Sequence, residues 1–216
     1  MNIPQVKLLK GSHAETGQTG QGCFMNVIAY LNNEPIITDE SECVCFVMRP
    51  LFIWSNDWMT DEERPQLLPF ILRAMGSRTN DKSEVSRRLA LVVTFANEMA
   101  KYAKSGESAA KYAVKYAVES AEYAEYAAEC AVESAAKSAE YAPEYAAKYG
   151  EYAAEYAKSA AKYAAKSAAE YAAKYGATRK QIIASLMKLF DSALPPLENV
   201  GEQTVKRIRQ LEALAA

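Results

Sequence analysis

The feature that most constrains this chain is a repeat of alanine and tyrosine that runs from residue 107 to residue 176. Between Lys111 and Lys174 every charged residue belongs to one series, and neighbouring members are always three or four residues apart. The mean spacing is about 3.7 residues, close to the 3.6-residue period of an α-helix. Alanine is also the strongest helix former. The repeat is therefore predicted to be helical, with its charges on one narrow stripe.

A helix with a single charged stripe has most of its surface free for packing. A solitary surface helix normally has a broader polar face. In this repeat alanine and valine lie away from the charges, and tyrosine and serine lie beside them. We expect other helices, from the same chain or from other copies, to cover the uncharged sides. Pairs of Glu and Lys one helical turn apart stabilise such a stripe by themselves, so the charges need no ligand.

Pro143 interrupts the repeat. An unbroken helix over residues 107–176 would be about 105 Å long. Proline costs about 3 kcal/mol inside a helix but is favoured in its first turn. The sequence therefore favours two helical arms divided near Ala142, with a single kinked helix as the alternative.

Composition divides the chain into a diverse N-terminal part, the repeat and a diverse C-terminal part. We expect a helical N-terminal domain (1–104) with a candidate ligand site, a repeat scaffold (105–176), and C-terminal helices that pack on the bundle (177–216). No strand pair is predicted, so the expected fold class is all-α, a helical bundle with long Ala/Tyr-rich amphipathic helices. Helix signals outside the repeat predict helices at Cys23 to Asn32, from Asp61 towards Met75, from Asp81 or Ser83 to Lys104, from Thr178 to Pro195, and from Leu197 to Leu214. The apolar run Val44 to Trp54 is either a buried helix interrupted by Pro50 or a strand leading into a helix, and its length favours the helix.

Charge and hydropathy make several classes of partner unexpected. Lys and Arg total 25 and Asp and Glu total 27, which gives a formal net charge of −2. Without a basic excess or a polybasic run, no nucleic-acid polymer is expected as partner. No run of about 18 apolar residues occurs, so no membrane partner is expected. The first ten residues have no continuous apolar core, and we expect a cytoplasmic protein with reduced cysteines.

A glycine-rich loop, Gly11 to Gly22, precedes the first predicted helix. Backbone N–H groups at a helix N-terminus suit an anion, and arginines on the helices that follow can add positive charge. No Gly-Lys-Ser/Thr follows the glycines, so the loop is not a P-loop. The alternative is that the arginines are solvated helix ends and the tryptophans belong to the core. The predicted ligand-binding residues are His13, Cys23, Arg49, Trp54, Asn56, Asp57 and Arg78; Arg64 and Arg73 are further arginines near the loop.

The cysteines also have the residue types of two other kinds of site, a cysteine-dependent active site and a zinc site. The first is a cysteine enzyme, in which Cys23 is the thiol nucleophile, His13 its base, and Asp57 or Asn56 the residue that orients the base. The residue types fit, but their spacing matches no known motif. His13 with Cys23, Cys43 and Cys45 has the ligand types of a zinc site, although Cys-x-Cys alone is a weak signal. The alternative is that Cys23 is a buried thiol and His13 a loop residue, with no catalytic or metal-binding role. The sequence predicts no catalytic residue, metal or cofactor.

The first hundred residues contain a set of short motifs, namely Gly11-Ser12-His13, Gly22-Cys-Phe-Met25, Ala29-Tyr30-Leu31, Glu34-Pro35, Cys43, Asn56-Asp57, Glu63-Arg64, Leu67-Leu68 and Gly76-Ser77-Arg78. In these motifs the chain resembles an uncharacterised family found in bacteria and their phages, whose members continue into an Ala-rich helical stretch. Two positions depart from the family pattern, since Met25-Asn26 replaces Met-Glu, and Thr38-Asp-Glu-Ser41 replaces Ser-Asp-x-Pro. The resemblance implies a bacterial or phage cytoplasmic origin and no particular activity.

The functional hypothesis is a non-enzymatic helical binding protein. Its N-terminal part would hold a small anionic ligand or nucleotide, in a phage a signal of the host, and the Ala/Tyr helices would join copies into a homo-oligomer. The alternatives are a purely structural or oligomeric interaction protein and a cysteine-dependent enzyme that uses Cys23 and His13.

Overall fold

The computed structural model describes residues 6–11, 21–79, 81–101, 172–174, 176–196 and 204–206, together with residues 159, 162, 165, 166, 168–170 and 209. The question of two arms or one kinked helix at Pro143 lies outside these residues, as do His13, Cys130 and most of the predicted helix from Leu197 to Leu214. The described chain is dominated by helices, as the sequence predicts.

The chain divides into two compact units. The first contains residues 1–45, 52–78 and 190–216, and the second contains residues 46–51 and 79–189. Every contact discussed below joins described residues of the same unit.

A short parallel pair of strands was not predicted. Strand β1 (Lys7–Leu8) pairs with β2 (Gln21–Gly22), with Lys7 opposite Gln21 and Leu8 opposite Gly22. The backbone N–H of Leu9 extends the pairing by donating to Gly22 O at 2.8 Å. Parallel strands need a connection of about a dozen residues, and the glycine-rich segment supplies it. Strands of two residues leave no alternating pattern in the sequence, which explains why the pair was missed.

Helix α1 (Phe24–Leu31) agrees with the prediction and is buried on all sides. Its N-cap is Cys23, whose Sγ accepts a hydrogen bond from the N–H of Asn26. The helix ends at Leu31 with Asn32 as its C-cap, and the next residue, Asn33, adopts a left-handed φ of 58°. The N–H of Asn33 donates to Tyr30 O and that of Glu34 to Ala29 O, both at 3.0 Å. This is the Schellman arrangement, in which asparagine tolerates the left-handed backbone.

Helix α2 (Arg49–Trp58) places Pro50 in its first turn, where proline is compatible with a helix. The apolar run from Val44 is therefore helical only from Arg49 onwards. The chain then enters a 3-10 helix (Arg64–Phe70) and α3 (Ile71–Met75). A single helix from Asp61 to Met75 was predicted, and that prediction is wrong because Pro69 removes a backbone N–H inside it.

Helices α4 (Lys82–Ala100) and α5 (Arg179–Ala193) agree with their sequence signals. Asp81 caps α4 by accepting from the N–H of Ser83 at 2.9 Å. Thr178 and Gln181 form the predicted capping box at the start of α5, since each side chain accepts the other residue's backbone N–H.

Four phenylalanines form the aromatic core of the first unit. Phe52 of α2 stacks on Phe24 of α1 at 4.3 Å between ring centroids, and on Phe190 of α5 at 4.4 Å. Phe70 meets Phe190 edge-on at 5.7 Å. Such pairs add about 0.5–1.5 kcal/mol each beyond the burial of their area. The stack ties α1, α2, the 3-10 helix and the end of α5 into one body.

Arg73 of α3 binds the C-terminal end of α5. Its guanidinium donates to Pro195 O at 2.8 Å, to Asp191 O at 2.7 Å and to Leu194 O at 2.9 Å, and pairs with the Asp191 carboxylate at 2.6 Å. The last carbonyls of a helix have no partner within it, and a cation there also suits the helix dipole. Arg73, one of the arginines noted near the glycine loop, thus satisfies the end of α5.

The described residues at the end of the repeat are helical, and their exposure follows the sequence pattern. Lys162, Glu170 and Lys174 are exposed, and Lys166 lies 3.8 Å from Glu170, one turn further along. Alanines on the other side are buried at helical spacing, namely Ala165, Ala168, Ala169 and Ala172. In this short stretch the charged side chains lie on the solvent side of the helix and these alanines lie on its buried side.

Candidate functional site

The side chain of Asn56, in the last turn of α2, is fully buried and joins two other segments. Its Oδ1 accepts from the N–H of Phe24 at 3.2 Å, and its Nδ2 donates to Leu9 O at 2.8 Å. The amide thereby connects α2 to the start of α1 and to the residue that follows β1. Because buried polar groups are costly when unpaired, these hydrogen bonds favour one arrangement of the three segments.

Asp57 extends this connection to the glycine-rich loop. Its Oδ1 accepts from the N–H of Gly11 at 2.8 Å and from Asn56 Nδ2 at 3.4 Å. Gly11 has a φ of +80°, which glycine adopts without strain. Since Leu9 also pairs with Gly22, both stems of the loop are fixed at their base. Asn56, Asp57, Leu9, Gly11 and Gly22 are called the loop base below.

Cys23 lies between the loop base and α1 and is a protonated thiol. Its Sγ donates to Asp39 Oδ1 at 3.4 Å, and the same oxygen accepts from Asn26 Nδ2 at 3.0 Å. The pKa of Cys23 is raised from its ordinary 9.0 to about 12, chiefly by burial. The N–H of Asn26 lowers this pKa, and the negative charge of Asp39 raises it. A thiol in this state is a poor nucleophile at neutral pH.

The first turn of α1 does not offer open N–H groups to an anion. The N–H of Phe24 donates to Asn56 and that of Asn26 to Cys23, and the N–H of Met25 also interacts with the Cys23 thiol. An anion near the loop base would therefore have to be held by other groups, such as the loop or an arginine.

Arg64 also binds the loop base, through the backbone of Asn56. It is 4% exposed, and its Nε donates to the backbone carbonyl of Asn56 at 2.7 Å. That carbonyl lies in the last turn of α2, where carbonyls have no partner within the helix. Nη1 of Arg64 forms an ion pair with Asp61, whose side chain is 80% exposed.

The other predicted ligand-binding residues lie in different surroundings. Trp54 stacks on Trp58 with 5.7 Å between ring centroids and is 8% exposed, as a core tryptophan would be. Arg78 is exposed and pairs with Glu42 at 2.7 Å. Arg49 begins α2 and belongs to the second unit. The structure thus brings together Cys23, Asn56 and Asp57 from the predicted set, whereas His13 lies outside the described residues.

Sequence reasoning missed two residues of this cluster and gave a third no specific role. Asn26 is an uncharged polar residue inside an otherwise apolar helix, and it is fully buried. That position was a usable signal, because a buried amide needs a partner. Asp39 lies in a turn with no periodicity, so nothing local pointed to it. Arg64 was noted only as an arginine near the loop.

A metal centre gains no support from the geometry. Across the described parts of the chain, no three His, Cys, Asp or Glu side chains are grouped so that they could hold a metal ion. Cys23, Cys43 and Cys45 form no disulfide bond among the residues that the structure describes. Among the same residues, no helix is both long and apolar enough to cross a bilayer.

Comparisons with known proteins give no relative from which a function can be transferred. No family model matches the sequence, and no curated protein or solved structure matches it either.

The hydrogen bonds of the loop base predict that Asn56→Asp strongly destabilises the fold. The new carboxylate oxygen would face Leu9 O and the Asp57 carboxylate in place of a donor, so we expect the free energy of unfolding to fall by about 3 kcal/mol or more at pH 7. Urea denaturation measures this change in the free energy of unfolding. Asn97→Asp, on an exposed site of α4, is the matched control and should change stability by less than about 0.5 kcal/mol. Equal effects of the two substitutions would refute the role assigned to Asn56.

The environment of Cys23 predicts slow alkylation and a loss of stability in alkali. Because the folded pKa is about 12 and the ordinary value is 9.0, the stabilisation from the protonated thiol is complete below pH 9 and declines as the pH rises towards 12. Iodoacetamide at pH 8, followed by peptide mass spectrometry, should modify Cys43 before Cys23. Asp39→Asn should speed the reaction of Cys23, because it removes the charge and acceptor that favour the thiol. Native Cys23 reacting as fast as Cys43 would contradict this.

Proposed function

We propose that this chain is a non-enzymatic binding protein that holds a small anionic ligand at the loop base. The observation that carries the proposal is the pair Asn56–Asp57, which uses adjacent side chains to hold Leu9 and Gly11. Loops that bind ligands act from a rigid scaffold. A buried polar network that fixes both stems of a glycine-rich loop is such a scaffold.

The protonated thiol supports a role without catalysis. A cysteine nucleophile needs a lowered pKa or an adjacent base. Burial and Asp39 act in the opposite direction on Cys23. The cysteine-dependent enzyme is for this reason the less favoured alternative, and Cys23 is better understood as the N-cap of α1.

The anionic class of ligand is proposed from the sequence and from the arginine beside the loop base. Arg64 carries a positive charge at a position that is almost completely buried. A nucleotide is the specific form of the proposal, and in a phage the protein would sequester a nucleotide signal in the cytoplasm of its host. The resemblance to bacterial and phage proteins motivates that form.

A thermal-shift screen of the full chain tests the binding function. We expect at least one nucleotide to raise the melting temperature with increasing concentration, as a ligand that binds only the folded state must. Sodium chloride at matched ionic strength is the control for general salt effects. If every nucleotide behaves like the salt control, the proposed ligand class is refuted.

The Ala/Tyr repeat is proposed as the scaffold of a helical bundle and as the interface of a homo-oligomer. The observation in favour of the bundle is the face of Ala165, Ala169 and Ala172, which is buried within a single chain, while Lys162 and Glu170 are exposed. The oligomer interface is proposed from the sequence pattern of the repeat. Small side chains allow helices to approach closely, and one exposed stripe leaves the remaining sides for packing. A purely structural interaction protein would use the same surface.

Light scattering after size exclusion tests the oligomer. We expect a mass that is a multiple of 23.8 kDa at micromolar concentration, unchanged by moderate salt because the interface is apolar. A mass of one chain at every accessible concentration would refute the oligomer and leave a bundle formed within one chain.

A further inference from the structure

The guanidinium of Arg64 has more donors than partners. An arginine carries five N–H groups. Its Nε donates to Asn56 O at 2.7 Å, and its Nη1 pairs with Asp61. Within the part of the chain that the structure describes, Nη2 has no hydrogen-bond partner, although the side chain is 5% exposed. Nη2 is not fully buried, so this edge of the guanidinium is accessible to an acceptor supplied by a ligand.

The position of Arg64 connects it to the loop base. The residue whose carbonyl it binds, Asn56, is the one whose side chain holds Leu9 and Phe24. The 3-10 helix that begins with Arg64 also packs against β1. Arg64 is therefore better placed for a ligand at the loop base than Arg73 and Arg78, because Arg73 binds the end of α5 and Arg78 pairs with Glu42.

Asp61 is a weak competitor for this guanidinium. Its side chain is 80% exposed, and ion pairs with exposed groups contribute little because water screens them. Asp61 also contacts only Nη1, which leaves Nη2 to another acceptor. Removing the Asp61 charge should therefore strengthen the attraction of Arg64 for an anion while leaving the buried contacts of Arg64 in place.

We propose that Arg64 is the residue that binds the anionic group of the ligand, through Nη2. The ligand class is an oxyanion, the chemistry shared by phosphate and carboxylate groups, which match the planar donor arrangement of arginine. This inference rests on the proposed binding function and specifies which residue recognises the charge. Lysine at this position would keep the charge but lose the planar edge.

The test titrates the full chain with inorganic phosphate, and with acetate as the carboxylate probe, at constant ionic strength. Calorimetry or thermal shift measures the dissociation constant. We expect Arg64→Lys to weaken binding at least about tenfold and Asp61→Asn to tighten it several-fold. Glu62→Gln changes the net charge equally at the neighbouring exposed position and should have less than a twofold effect. Tighter phosphate than acetate binding identifies a phosphate ligand, and the reverse identifies a carboxylate.

The outcomes separate the inference from the function on which it rests. If Asp61→Asn and Glu62→Gln act equally, or if Arg64→Lys binds like the wild type, Arg64 is not the recognising residue although the protein still binds anions. If the wild type binds neither probe and no nucleotide, both proposals are overturned. Since Asp61 is exposed, its variant keeps the test decisive even if Arg64→Lys does not fold.

Discussion

The described part of the first unit depends most on the hydrogen bonds of one buried side chain, the carboxamide of Asn56. The Asn56 side chain donates to Leu9 O and to Asp57 Oδ1 and accepts from the N–H of Phe24. The backbone carbonyl of Asn56 accepts from Arg64. Four segments therefore meet at one residue: the end of β1, the start of α1, the end of α2 and the 3-10 helix. A buried network of this kind stabilises strongly only while every member is satisfied, because each unpaired group incurs the full cost of its desolvation.

The chemistry around this residue follows from the same arrangement. Because Asn56 and Cys23 use the first N–H groups of α1, the helix dipole is directed at a neutral amide and a neutral thiol. Asp39 then favours the protonated form of Cys23. A thiol held in this way contributes to the cap of α1, and Arg64 is the group that we propose recognises an anion.

The sequence predicted the helices whose signals are local and missed the features that depend on distant residues. The caps of α4 and α5 and the limits of α1 were readable from a few neighbouring residues, such as Asp81 and Thr178. The 3-10 helix was not, because the helical pattern after Thr60 continues past Pro69, which breaks the α-helix. Within the site, the grouping of Cys23, Asn56 and Asp57 was predicted, but Asp39 joins them through a return of the chain that leaves no local pattern.

Amide hydrogen exchange at Gly11 and Phe24 tests the central claim most directly, because each N–H donates to Asp57 or Asn56. If these side chains fix the loop base, both amides should exchange only through large-scale opening, at rates near those of core amides in α1. Exchange of either amide at the rate of an unstructured chain, with the core of α1 still protected, would contradict the claim.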